Sequence, residues 1–508
     1  MKKIYIDGEH LSFEDIVNVA RNNFEVYIDN SVLPKIESSR NLVDKFVEEE
    51  RVIYGITTGF GDLCKVVISK DKSETLQKNL IRSHACGIGK PLDTEIVRAI
   101  MLLRVNSLVK GYSGIRLSTL NTLVEMINKQ VHPLIPQKGS LGASGDLAPL
   151  AHITLVMIGE GEAFYKGQRL PGKEAMKLAK IPIVNLKSKE GLALINGTQV
   201  MTGIGALVLY DSIQLMKMAD IISALTFEAL NGIIDAFDEK VQDLRPHKGQ
   251  IDTAINLRKI LEGSKMVSSE GEIRVQDAYS LRCIPQVHGA SKDAINYVRN
   301  VLTTEINSVT DNPLIFYDEG KTISAGNFHG QPVALAMDFL AIALSEIADI
   351  SERRIERLVN PTLSGLPPFL IENSGLNSGL MLVQYSAASL VSENKVLSHP
   401  ASVDSIPSSA NQEDHVSMGT IAARKAKVIL DNVQKVLAME MLCACQAIDL
   451  RGNKGLGKGT RIIYDIVRTQ VPTIKEDKVM YEEINKCENL LKSGIVLEEV
   501  EKNIGKLC

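Results

Sequence analysis

Apolar residues recur at helical spacing through most of this chain. Between Pro332 and Asn360, Leu340, Leu344, Ile347, Ile355 and Leu358 return at steps of three, four and eight residues, and Pro361 ends the run. Met418 to Asp449 repeats the pattern, with Ile429, Val433 and Val436 on one face and Arg424, Lys425 and Lys427 near its start, and Gln199 to Phe237 is a third such run. Charges such as Asp211, Lys217, Asp220 and Glu228 are expected to interrupt only one face of that helix. The pattern predicts three helices of about thirty residues in an extended bundle. The predicted fold class is therefore mainly α, a long-helix bundle with a smaller mixed N-terminal region.

That N-terminal region reads as short elements: a strand at Ile4 to Ile6, helical patterns at Phe13 to Arg21 and Asn41 to Glu50, and a helix over Leu76 to His84 stopped by Cys86-Gly87-Ile88-Gly89-Lys90-Pro91. Between them lies Tyr54-Gly55-Ile56-Thr57-Thr58-Gly59-Phe60-Gly61, too glycine-rich for a regular element and of the kind that carries function. No βαβ alternation is expected, and hairpins at Ala163 to Leu170 and Ile315 to Ile323 read as insertions in a helical body. With no repeat or linker, we set a soft boundary near residue 110: residues 1–110 form a mixed region carrying the Tyr54 loop, and 111–508 a helical-bundle domain. The charged segment beyond Lys475 is expected to be helical and peripheral.

Composition removes several alternatives. Charged residues make up 23% of the 508 residues and the formal net charge is -4, so neither a nucleic-acid footprint nor a basic membrane face is expected. The longest apolar stretches, Val200 to Tyr210 and Val333 to Leu344, are too short, or too interrupted by Asp338, to span a bilayer. Seven cysteines, an odd number without zinc-ligand spacing, fit reduced thiols in a cytoplasmic protein with no metal site. Met1-Lys2-Lys3 is followed by no apolar core, so no signal peptide is expected.

One stretch then carries the chemistry, Gly139-Ser140-Leu141-Gly142-Ala143-Ser144-Gly145-Asp146-Leu147-Ala148-Pro149-Leu150. Gly145 lacks a Cβ, so its amide nitrogen can approach the carbonyl carbon of Ala143. Closing that contact with loss of two waters, one from the Ser144 side chain, gives a five-membered ring with an exocyclic methylidene, a carbon electrophile that no side chain supplies. Asp146 as N-cap and Pro149 in the first turn predict that a buried helix starts here, so the tripeptide faces a positive helix end that stabilises charge on the ring oxygen. Two other readings fall away. Gly452-Asn453-Lys454-Gly455-Leu456-Gly457-Lys458-Gly459 imitates a phosphate loop but has Gly459 where Ser or Thr is needed and follows a helix. Ser144 has no nucleophile-elbow sequence and no strand is expected before it.

The Ala143-Ser144-Gly145 stretch resembles the motif from which the aromatic amino acid ammonia-lyases and aminomutases make 4-methylideneimidazole-5-one (MIO), with no dissociable cofactor and no metal. Other segments match in family order, from about Tyr54 to past Met418. The resemblance implies that Tyr54 is the base that removes a β-proton, a role that needs a tyrosine of lowered pKa. It implies that Arg282, in Gln276-Asp277-Ala278-Tyr279-Ser280-Leu281-Arg282, grips the substrate carboxylate, and that Asn196, in Asn196-Gly197-Thr198-Gln199, bonds to the ring oxygen or substrate. Gln276, Tyr279 and Phe328 line and close the pocket, Tyr279 among the catalytic set.

Substrate choice rests on His84 and Glu413. Relatives acting on phenylalanine or tyrosine carry Phe-Leu or His-Leu where this chain has Ser83-His84, and an amide where it has Glu413. A neutral His84 and the Glu413 carboxylate together address both nitrogens of an imidazole, which a phenyl ring would leave unpaired. The implied reaction is deamination of L-histidine to urocanate and ammonia, the first step of histidine breakdown, with tyrosine or phenylalanine lyase or aminomutase activity on the same scaffold as the alternative. The implied assembly is a homotetramer with sites shared between subunits.

Overall fold

The computed structural model describes residues 2–59 and 61–508 and every side chain among them but that of Cys64; Phe60 of the glycine loop lies outside the described residues. The chain forms two compact units, one of Met1–Tyr210, Arg299–Asp338 and Pro400–Arg424, the other of Asp211–Val298, Phe339–His399 and Lys425–Cys508. Leaving aside short 3-10 turns, the elements in order are β1 (Lys3–Ile6), α1 (Phe13–Asn22), β2 (Glu25–Ile28), α2 (Leu33–Glu48), α3 (Ser73–His84), β3 (Ile88–Pro91), α4 (Thr94–Leu108), α5 (Leu117–Asn128), β4 (His132–Pro133), β5 (Pro136–Lys138), α6 (Leu147–Met157), β6 (Glu162–Tyr165), β7 (Gln168–Pro171), α7 (Gly172–Leu178), α8 (Glu190–Ile195) and α9 (Gln199–Ala229). Then come α10 (Glu239–Asp243), α11 (Lys248–Ile260), α12 (Tyr279–Arg282), α13 (Ile284–Glu305), β8 (Leu314–Phe316), β9 (Lys321–Ile323), α14 (Gln331–Val359), α15 (Pro361–Ser364), α16 (Met381–Leu397), α17 (Gly419–Arg451), α18 (Lys458–Gln470), α19 (Met480–Ser493) and α20 (Ile495–Ile504). The fold is mainly α; α14, α17 and both hairpins fall where the pattern put them, while α9 stops at Ala229, short of the expected Phe237, where a separate 3-10 turn follows.

In the first unit, α1 begins on a capping box, the Ser12 hydroxyl accepting the Asp15 N–H while the Asp15 carboxylate takes the Ser12 N–H. Its apolar face, with Ile16 and Val19 fully buried, packs on α4. Strands β1 and β2 pair in parallel from Lys3 with Glu25 to Ile6 with Ile28. Because α1 joins them, this is a small βαβ unit, which corrects the expectation that none occurs. β2 is too short to announce itself without its partner. Helix α2 also starts earlier than Asn41, at Leu33, with Pro34 in its first turn.

Helix α4 is buried from Ile96 to Leu108, two arginines included. Arg98 donates from Nε to the Val19 carbonyl (2.8 Å) and from Nη1 to that of Ile127 (2.9 Å), joining the ends of α1 and α5. Burial pulls its pKa down to about 10, and burial beside this cation pulls that of His132, 3.2 Å away, down to about 4.

The second unit is held by apolar faces and a buried ion network. Leu340, Leu344, Ile347, Ile355 and Leu358 of α14 and Ile429, Val433 and Val436 of α17 are fully buried, in line with their periodicity. Asp220 and Glu228 depart from expectation: both are completely buried and do not lie on a solvated face. Asp220 accepts from His288 Nδ1 (2.8 Å), Lys292 Nζ (2.6 Å) and Asn256 Nδ2 (2.8 Å). Glu440 accepts from Arg354 Nε and Nη2 (2.5 and 2.9 Å), Ser351 (2.6 Å) and Thr226 (2.8 Å). The Asp220 carboxylate, which reads as a surface charge, is tolerated inside because each of its oxygens is paired. Glu228 takes the Gly457 N–H at 2.7 Å, so a glycine amide of the phosphate-loop look-alike already serves a carboxylate. The C-terminal α20 packs on α18 and α19. No helix among the described residues is long and apolar enough to cross a membrane.

Candidate active site

The loop ahead of α6, which carries Ala143–Gly145, is held by two other segments of the first unit. Gly145 has φ +69°, and a Cβ built on it would lie 2.2 Å from the Gly197 carbonyl oxygen, which accepts the Asp146 N–H at 2.7 Å. Only glycine fits there, for backbone conformation and for space. On the other side Gly142, at φ +70°, leaves no room for a Cβ beside the Ser417 hydroxyl; its carbonyl accepts that hydroxyl at 3.1 Å, and the Leu141 carbonyl accepts the Met418 N–H at 3.0 Å. Two distant loops therefore grip residues 141–146, while Ala143 and Ser144 stay half-exposed between them. A short strand, β5, does precede the stretch, contrary to expectation, but Gly139–Ala143 separate it from Ser144, so no nucleophile elbow is formed.

Asp146 stands at the N-cap position of α6, as the sequence predicts, but its side chain makes no cap bond there. One carboxylate oxygen instead accepts the Val200 and Met201 N–H groups (3.0 and 2.9 Å) at the start of α9, and the other takes the hydroxyls of Ser140 (2.9 Å) and Thr420. The acid caps a neighbouring helix because the tight turn at Gly145 aims it away from its own. Burial raises its pKa, and these hydrogen bonds work against that rise.

Asn196 ends α8 and is buried, yet its Oδ1 has no hydrogen-bond partner among the described residues. Such an unpaired oxygen retains the capacity to accept from a donor brought to it. Beneath it the fully buried Arg104 donates from Nη1 to the Asn196 carbonyl (2.8 Å) and the Gln199 side chain (2.6 Å), and from Nη2 to the Ala193 carbonyl.

His84 and Glu413, the pair expected to set substrate choice, also lie in this unit. His84 is the last residue of α3, with Nδ1 3.0 Å from the Ser83 hydroxyl, and Glu413 is close enough to act on it electrostatically. Burial, the larger influence, lowers the His84 pKa, while the Glu413 carboxylate and a backbone bond oppose it, so the ring is neutral at pH 7. Glu413 is held by the Ser408 hydroxyl at 2.8 Å and by backbone bonds to Ser408 in both directions. The next residue, Ser409, meets the Tyr54 loop: its hydroxyl lies 2.9 Å from where a Cβ on Gly61 would be, and the Gly61 N–H donates to the Tyr54 hydroxyl at 3.3 Å. Phe328 is half-buried in the turn before α14, and the rings of its neighbour His329 and of His415 are 5.5 Å apart.

The aromatic amino acid lyase family model matches residues 11–469. The chain belongs to this family. It is 63% identical over 504 residues to a histidine ammonia-lyase of Alkaliphilus oremlandii, covering 99% of each chain. Among solved structures it is similar to histidine ammonia-lyase from Trypanosoma cruzi (TM-score 0.92, 42% identity, 99% of this chain and 95% of that one) and to tyrosine aminomutase from Streptomyces globisporus (TM-score 0.96, 39% identity, all of both chains).

Of the residues expected to serve an aromatic amino acid lyase, Tyr54, His84, Ala143, Ser144, Gly145, Asn196, Phe328 and Glu413 lie in the first unit, and Gln276, Tyr279 and Arg282 in the second. In the latter, Asp277 anchors the segment by accepting the Ile233 N–H (2.6 Å) and Arg274 Nε (2.5 Å), leaving Gln276 exposed and Tyr279 71% exposed. The Arg282 guanidinium lies 4.7 Å from the centre of the Tyr279 ring, and its Nε is buried without a partner among the described residues. Sequence reasoning missed Arg104, Ser408 and Ser417. Arg104 left a signal, a cation between the apolar run Ala99-Ile100-Met101-Leu102-Leu103 and Val105, which a buried helix accepts only if its polar atoms find partners.

Proposed function

We propose that this lyase removes ammonia from L-histidine, leaving urocanate. The observation that carries the substrate is that the half-buried His84 stands within electrostatic reach of the Glu413 carboxylate, which Ser408 holds in place, two groups suited to the two imidazole nitrogens. Full-length relatives named histidine ammonia-lyase support the same reading. The residues fit a MIO group at 143–145: the space a Cβ would need at Gly145 is taken by Gly197, and the buried Oδ1 of the adjoining Asn196 has no partner among the described residues. Formed there, the group supplies a carbon electrophile that makes the amine a better leaving group.

The chain's own residues do the rest. Arg282 binds the carboxylate with a planar fork, Tyr279 and Gln276 border it, and Phe328 packs against the substrate ring. Tyr54 takes the β-proton at its phenolic oxygen as the C–N bond breaks, so the products are an alkene and ammonia. Glu413 serves both in binding and in catalysis, fixing the imidazole while charge shifts through it. Exposure of Tyr279 and Gln276, and of Phe339, Ile342, Leu382 and Tyr385 on α14 and α16, supports a homotetramer in which each site draws on several subunits. A cytoplasmic location accords with the thiol content.

Purified protein incubated separately with histidine, tyrosine and phenylalanine, and followed by near-ultraviolet absorbance of the product, tests the reading. Faster turnover of tyrosine or phenylalanine favours the second reading, a lyase or aminomutase for those substrates, which the close structural likeness to a tyrosine aminomutase keeps in play.

A further inference from the structure

The Asn196-Gly197 peptide is clamped from both sides. On one side it supports Gly145, whose missing Cβ would meet the Gly197 carbonyl carbon at 2.4 Å and its oxygen at 2.2 Å. On the other, a Cβ on Gly197 itself, at φ +151°, would lie 2.4 Å from Arg104 Nη1, 2.4 Å from Gln199 Oε1 and 2.8 Å from the Thr310 hydroxyl. The backing is rigid. Arg104 bonds the Ala193 and Asn196 carbonyls, orphans of the α8 C-terminus, and Gln199 Oε1; Gln199 Nε2 in turn donates to Thr310 at 2.7 Å. Thr310 is itself fixed by its neighbour Asp311, ion-paired with the fully buried Lys189 at 2.7 Å.

We propose that Arg104 is a positioning residue for ring closure at Ala143–Gly145: its fork sets the height of the Gly197 carbonyl, which holds the Asp146 N–H and so keeps the Gly145 nitrogen turned toward the Ala143 carbonyl carbon. The proposal rests on the lyase reading above. The step it serves is balanced and needs no oxidant. A bond forms from the Gly145 nitrogen to the Ala143 carbonyl carbon. The carbonyl oxygen leaves as water with the amide hydrogens of Gly145 and Ser144, giving a C=N bond. The Ser144 hydroxyl and Cα hydrogen leave as a second water, giving the C=C bond. A lysine at 104 would keep the charge but not the fork, since one ammonium cannot span three acceptors held apart in a plane.

The test samples wild type, Arg104→Lys and Thr310→Val at intervals after induction, reading intact mass for the loss of two waters, with circular dichroism and thermal unfolding to match the folded state. Wild type closes fully. Arg104→Lys closes about tenfold more slowly and Thr310→Val, which loses a single neutral acceptor, about threefold more slowly. In both, kcat for histidine follows the closed fraction while KM stays constant, a split that a general loss of structure would not produce. Closure at the wild-type rate in both variants overturns the role of Arg104. If Arg104→Lys does not fold, Thr310→Val decides alone, and a wild-type rate in it overturns the proposal. A wild type that keeps its full translated mass overturns the lyase reading and this inference with it, an outcome distinct from the others.

Discussion

Each unit contains a buried polar network, and the two are built to opposite rules. In the second unit both oxygens of Asp220 and of Glu440 are bonded, by His288, Lys292 and Asn256 and by Arg354, Ser351 and Thr226. In the first, Gln199 and Asp146 are extensively bonded and Arg104 uses both terminal nitrogens, but Asn196 Oδ1 and Arg104 Nε are left over. The Asp220–His288–Arg354 chain looks more like a catalytic relay than anything near Ser144, yet it has no vacant position for a substrate. Between these two networks the difference is unspent hydrogen-bonding capacity: none on the carboxylates of Asp220 and Glu440, one carbonyl oxygen on Asn196 and the Nε of Arg104.

The contrast is open to attack by mutation. Ser144→Ala should abolish turnover and leave the intact mass one alanine-for-serine exchange from the translated value, with thermal unfolding unchanged; two-water loss in that variant would break the comparison at its root. Asn196→Ala should lower kcat about 10²- to 10³-fold, the scale of losing an oxyanion-type partner, while denaturant unfolding detects little or no destabilisation because the atom removed was unpaired. Arg354→Met should act in reverse: about 3–5 kcal/mol lost in denaturant unfolding, from stranding Glu440, with KM of the protein that remains folded unaltered. Glu413→Gln should cut kcat/KM for histidine relative to phenylalanine by roughly 10- to 100-fold, the worth of one buried pairing, measured by competition between the two substrates.

The smallest effect concerns pH. His132 titrates near 4 folded and 6.5 unfolded, so between those values the unfolded chain binds more protons and stability falls as pH drops from 6.5 toward 4. Unfolding free energies of His132→Gln measured across that window should slope less steeply than those of the wild type.

The long helices were legible because α14 and α17 repeat their apolar positions over many turns. The βαβ unit was not, since four residues of β2 hold no period of their own. Site residues on loops, Tyr54, Asn196 and Glu413, stood out through their neighbours in sequence. What could not be read was pairing at a distance: that the Asp146 side chain caps α9 and not α6, that Glu228 serves Gly457, or that Arg104 supports Asn196. Side-chain identity says that a buried charge needs a partner, but only the fold says which one.

The contact between Gly145 and Gly197 joins segments made at different moments of synthesis. A nascent chain that has emerged only as far as α6 has nothing to press on Gly145, and so carries an ordinary, harmless serine. With ring closure as proposed, reactivity arrives only in molecules that have already folded, which would make the electrophile its own certificate of correct assembly and keep it out of reach of stray cellular amines in misfolded copies.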